Sequence, residues 1–173
     1  MPSLRDPSLC WAEPADVEAM VDLSERYRVR LQRWQPRFWL KARNSRTYHA
    51  RYLSHLVTNG GDVMALVRRA PVGDGIDGFI VGTLADPPPV YAAGLTCTVD
   101  DFCLATDLDW PTTGLALLEE MRAQAACRGA TQIVVVCPRR HLAKRRTLRR
   151  LGLSLASEWY TAPLEPIEGR RKL

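Results

Sequence analysis

The chain has 173 residues, 46% of them apolar and 25% charged, which is enough for one domain with a full core and too few for two. Its formal charge of +5 favours anionic partners without choosing between an anionic coenzyme and a nucleic acid. No apolar run approaches the ~20 residues of a membrane span, and the opening MPSLRDPSLC lacks a signal-peptide core, so a cytoplasmic protein with no membrane partner is expected.

Residues 9–12 read as a short first strand. Pro14 then opens a helix whose inward face is Val17, Met20, Val21, Tyr27 and Leu31. From Arg26 to Arg51 basic and aromatic residues alternate, and a helix over residues 45–57 gathers Tyr48, Tyr52 and either His55 or Leu56 on one face. One reading of this stretch is a solvated basic face with its aromatics turned into the core. Another is a pocket wall, with Trp34, Phe38, Trp39 and Tyr48 against a substrate. A third is stacking on nucleic-acid bases.

Residues 62–69 and 78–85 form a predicted hairpin whose glycine-rich loop serves as a turn, since no helix follows it. A proline-rich connector over residues 86–94 leads to a strand over 96–105, which carries Asp100 and Asp101 and then Phe102, Cys103 and Leu104. After a turn, a helix is expected from Thr112 or Thr113 with Gly114, Leu118, Met121 and Ala125 inside. The unpartnered N–H groups of such a helix start suit a phosphate. The β-branched run 131–137 predicts a strand buried on both faces.

Residues 139–150 give a basic helix with Ala143, Thr147, Leu148 and Leu151 inward and Arg145, Arg146, Arg149 and Arg150 outward. That face is either plainly solvated, a grip on a coenzyme phosphate, or a contact for a nucleic-acid backbone. Residues 157–160 read as a last strand, and Tyr160 there as a half-buried aromatic. The domain is placed at residues 1–164, with 165–173, which include IEGR, set aside as a tail. Five cysteines, an odd number without a CxxC pair, indicate free thiols. His49, His55 and His141 show no metal-ligand spacing, so no metal is expected.

This order of elements over roughly residues 8–164 resembles the core of the GNAT superfamily of N-acyltransferases. Stretches 34–39, 90–102 and 157–160 are similar to a divergent bacterial branch of it. The resemblance implies an α/β fold with a mixed central sheet of about six or seven strands and about four flanking helices. It also implies acetyl-CoA as co-substrate and an amine of a small molecule or protein as acceptor, and it allows a homodimer. In the family the phosphate turn reads Arg or Gln, two variable residues, Gly, one variable residue, then Gly or Ala. Laid without gaps, it falls on residues 109–114 and only Gly114 matches. Asp109 stands where the family has a positive or neutral side chain, and Pro111 brings no N–H.

Coenzyme contacts are implied for Phe102, Cys103 and Leu104 on the strand, for Trp110, Thr112, Thr113, Gly114 and Leu115 at the turn, and for His141, Lys144 and Arg145 on the basic helix. His141 stands where the family places an Asn, and Leu148 where it places the Tyr that protonates the leaving thiolate. Tyr160 is the nearest substitute. A non-catalytic coenzyme-binding protein of the same fold, or a nucleic-acid-binding or -modifying protein using the basic helix, are the alternatives.

Acyl transfer to an amine needs a base, an oxyanion donor and an acid for the thiolate, because an alkylamine of pKa about 10.4 is almost wholly protonated at neutral pH. Asp100 or Asp101 is the expected base, and strand alternation sends the two to opposite faces. By analogy with the resembled fold, a bulge in this strand would change that phase and offer the Leu104 N–H as oxyanion donor.

Overall fold

A computed structural model describes residue 4 and residues 6–164; the expected tail at 165–173 lies outside them. Five strands pair in chain order: β1 (Leu9–Trp11), β2 (Val63–Arg69), β3 (Ile76–Ala85), β4 (Thr96–Leu104) and β5 (Gln132–Val135). The first four are antiparallel neighbours, and β5 joins β4 in parallel after a helical crossover. Short turns suffice for the antiparallel pairs, whereas a parallel pair needs such a crossover.

Two helices cover each face. Helices α1 (Val17–Trp34) and α2 (Ser45–Asn59) pack Val17, Met20, Leu23 and Leu53 against Val67, Phe79, Val81 and Cys103. On the other face α3 (Leu115–Cys127) lays Leu117, Leu118 and Met121 on Leu66, Ile80, Val99 and Phe102, and α4 (Leu142–Arg150) adds Leu148. A Cβ at Gly82 would meet Met121 Sδ at 2.7 Å, so this glycine lets α3 lie close on the middle of the sheet. All five cysteines are free. No helix among the described residues is long and apolar enough to cross a membrane.

Among the described residues the sheet has five strands rather than six or seven. Residues 157–160 form no strand, and Tyr160, expected to be half-buried, is 83% exposed. In consequence β5 is an edge: its residues alternate between exposed and half-buried instead of being buried on both faces. The run of β-branched residues marks a strand but does not supply its outer neighbour. The helical path at the phosphate turn also starts earlier than expected, at Asp107, as a 3-10 turn (Asp107–Asp109), then a π turn (Trp110–Gly114), then α3.

Candidate active site

The site is built around one irregularity in β4. Ile80 pairs with Phe102 and Gly82 with Val99, so Asp100 and Asp101 together oppose Val81 in a β-bulge. At the same point β5 leaves: its last pair is Val99 with Val135, while β4 runs on to Leu104. The two parallel strands therefore open into a fork whose first residues are the acidic pair.

Main-chain geometry beyond the bulge follows from one hydrogen bond. Ala105 N–H donates to Asp77 O at 2.7 Å, toward β3. Alternation then turns the N–H groups of Leu104 and Phe102 the other way, into the fork. The bulge also resets the side-chain phase. Phe102 joins Val99 in the α3-side core, and Cys103 lies in the core under α1 and α2.

Asp101 meets a partner the sequence did not announce. His49, near the start of α2, is buried, and its Nε2 lies 3.1 Å from Asp101 Oδ2. Its other ring nitrogen, Nδ1, is buried with no hydrogen-bond partner. Leu53, one turn on, anchors the same helix face in the core, and the Tyr52 ring stacks on His49 at 6.2 Å. Tyr48 and Tyr52 stand exposed at the rim. Burial and the neighbouring Asp101 raise the pKa of Asp100, against which the Lys144 charge acts.

At the helix start, Thr106 caps the 3-10 turn by accepting from Leu108 N–H. Trp110 is buried, and its indole fills the space a Cβ at Gly114 would need, with Cε3 at 2.8 Å. The π turn leaves the Trp110 carbonyl to accept from Thr147 Oγ1 at 2.9 Å. Thr113 is buried and accepts from Arg68, which also pairs with Asp77. Pro111 and Thr112 are exposed, and Leu115 is half-buried.

The positive charge missing from the turn arrives from α1. Arg30 forms a bidentate pair with Asp107 at 2.5 and 3.0 Å. Burial pushes the Asp107 pKa up, but the Arg30 hydrogen bonds outweigh it and hold the carboxyl below its ordinary value. His141, at the start of α4, is buried among Tyr27, Trp34 and Trp110 with ring centres 5.1 to 5.5 Å away. Burial pushes its pKa down to about 4 against the pull of Asp107, so the ring is neutral near pH 7. Its Nδ1 accepts from the Lys144 backbone N–H.

Lys144 reaches from α4 to the fork and is 1% exposed, its Nζ 5.0 Å from the Phe102 ring centre and 5.5 Å from that of Trp110. Arg145 is half-buried and donates to the Arg139 carbonyl. A cavity of about 80 Å³ lies at the end of β4, lined by Tyr27, Arg30, Cys103, Leu104, Asp107 and others. The buried Tyr27 hydroxyl has no partner there. A larger groove of about 700 Å³, between α3 and β5, includes none of the residues expected at the site.

The expected substrate aromatics divide into two groups. Trp34 packs in the His141 cluster with the Arg30 guanidinium 5.1 Å above it, whereas Phe38 and Trp39 pack on each other and Trp159 on Phe38. The Tyr160 hydroxyl donates to Glu158 at 2.5 Å, and the structure shows no contact between it and the acidic pair.

Solved structures share this architecture. A mutant of the BH1408 protein from Bacillus halodurans superposes with a TM-score of 0.77 at 16% identity, over 91% of this chain and 99% of that one. A predicted acetyltransferase with acetyl-CoA from Clostridium acetobutylicum gives 0.69 at 14% identity, over 90% and 94%. Glucosamine-6-phosphate N-acetyltransferase from Arabidopsis thaliana gives 0.64 at 12% identity, over 91% and 97%. The chain has the GNAT fold. No family model and no curated protein matches its sequence. This chain builds a turn filled by Trp110 and a His49–Asp101 pair at the bulge on that fold.

Proposed function

We propose that this protein is an N-acyltransferase that moves an acetyl group from acetyl-CoA to a primary amine. The observation that carries the reading is the His49–Asp101 pair, set on the bulge where β4 parts from β5. Asp101, the partly exposed member of the pair, is the site for a proton taken from the acceptor, and the buried His49 holds its carboxylate through Nε2. The donor suits the other edge of β4. The Phe102 and Leu104 N–H groups point into the fork, where the thioester arm would pair with main chain as β5 does further back, and the Leu104 N–H would meet the developing oxyanion. Arg30, released from Asp107, is the cation that would meet the phosphates. Trp110 and Lys144 fill the fork floor, so the donor would lie along it rather than sink into it.

The test is turnover of acetyl-CoA by the purified protein on a panel of alkylamines, aminosugars and lysine peptides, with Asp101→Asn beside the wild type. The expected result is release of coenzyme thiol that depends on the amine and is lost in Asp101→Asn. Amine-independent release, or equal rates in the variant, would refute it. One observation favours a second reading, non-catalytic binding of an acyl-CoA: the cavity at the helix start measures only about 80 Å³. Tight binding without turnover on any amine would select that reading.

A further inference from the structure

Lys144 is the most anomalous group in the molecule. Its side chain is almost wholly removed from solvent, yet no hydrogen bond or ion pair joins its Nζ to any other described residue. A buried ammonium without a counter-ion is costly, and two aromatic faces return only part of that cost. Burial accordingly lowers its pKa, while the nearby Cys137, Cys103, Asp101 and Asp100 pull the other way. Such a group is stable only because its surroundings hold it, and it is already desolvated for any negative charge that appears beside it.

Its place in the fork says where that charge would arise. On the acyl-transfer reading, the acceptor amine sits on the α1–α2 face with His49 and Asp101, and the thioester carbonyl at the Leu104 and Phe102 N–H groups. The sulfur must then lie on the opposite side of the carbonyl carbon, toward the α3–α4 face. Lys144 Nζ lies on that face, over the Phe102 and Trp110 rings. Leu148, at the position the resembled family gives to its acid, is apolar and buried in the core; Lys144 stands one turn before it on the same side of α4.

We propose that Lys144 is the acid of the reaction and delivers its proton to the departing sulfur. The acceptor nitrogen forms its bond to the carbonyl carbon, the C=O π pair moves to oxygen, and Asp101 takes the amine proton and passes it to solvent. The tetrahedral adduct then collapses, the C–S bond breaks and its electron pair goes to sulfur. Nζ gives one proton to that sulfur, producing the coenzyme thiol, and the neutral lysine is reprotonated from solvent. Every atom comes from acetyl-CoA, the amine or water.

This inference rests on the acyl-transfer reading, and the experiment separates the two. Acetyl-CoA binding is measured by calorimetry for wild type, Lys144→Met and Lys144→Arg, with folding checked by circular dichroism. Turnover is then measured on the best amine of the panel, with acetyl-CoA and with S-acetyl thiophenol, whose thiolate leaves without a proton. Both variants should still bind acetyl-CoA measurably, so that kcat is read on the loaded enzyme. Lys144→Met should lose roughly 10²-fold or more in kcat with acetyl-CoA and far less with the thiophenyl ester. Wild-type turnover in Lys144→Met, or an equal loss with both donors, would overturn the role of Lys144 and leave the acyl-transfer reading standing. Absence of acetyl-CoA binding or turnover by wild type would overturn both.

Discussion

His141 makes a quantitative prediction about acid stability. Its pKa falls from the ordinary histidine value of about 6.5 to about 4, with burial as the main cause and Asp107 working against it. The folded state thus favours the neutral ring and the unfolded chain takes up a proton more readily. No stability is lost above pH 6.5; the loss grows as pH falls and levels off below the folded value near 4. Each pK unit is worth 1.36 kcal/mol, so linkage gives about 2–3 kcal/mol between pH 7.5 and pH 4.5. His141→Asn removes the titration and keeps a side-chain oxygen near the Lys144 N–H. Urea unfolding of both proteins at the two pH values is the assay. Carboxylates titrate in both, so the wild type should lose about 2–3 kcal/mol more than the variant on acidification. Equal losses would show that the imidazolium is tolerated in this cluster and that the neutral-ring account is wrong.

Three further outcomes are expected. Gly114→Ala places a methyl group 2.8 Å from the Trp110 ring and 3.1 Å from Leu104 Cδ1, and should cost about 1–3 kcal/mol in urea unfolding; no cost would mean the π turn yields freely. Lys144→Met removes an unpaired buried ammonium and should raise stability by on the order of 1–4 kcal/mol at pH 7. Because the folded pKa is lowered, that gain should shrink as pH rises through the lysine range; a gain independent of pH would argue for packing alone. Asp101→Asn should lower kcat by roughly 10²–10⁴ with little change in acetyl-CoA affinity, read by steady-state kinetics and calorimetry, and a loss confined to affinity would contradict its role as base.

Much of the frame was legible because it is written in local pattern. The 3.6-residue stripe from Val17 to Leu31, the hairpin alternation and the adjacent Asp100 and Asp101 each carry their structural meaning within a few residues. What escaped depends on distance. His49 and Asp101 lie 52 positions apart, and on its helix His49 reads like any core histidine beside Leu53. The signal available was the i, i+4 stripe of His49 and Leu53 facing a strand that carries two carboxylates. Lys144 sat in a run of arginines that reads as solvated, and only the Phe102 and Trp110 rings distinguish it from them. The expectation of a buried β5 failed because β-branched residues prefer strands whether or not an outer strand arrives. Gly114, the one match to the phosphate turn, gives its space to the Trp110 indole, which no spacing within the turn announces.

On the proposed mechanism the fork edge of β4, from the bulge to Leu104, receives the thioester. Backbone amide resonances of the isotope-labelled protein, followed through an acetyl-CoA titration, report on that edge residue by residue. Phe102 and Leu104 should shift and saturate together with residues 106–109 and the Arg30 side chain. Shifts confined to the exposed arginines of α4, or none at millimolar ligand, would contradict it.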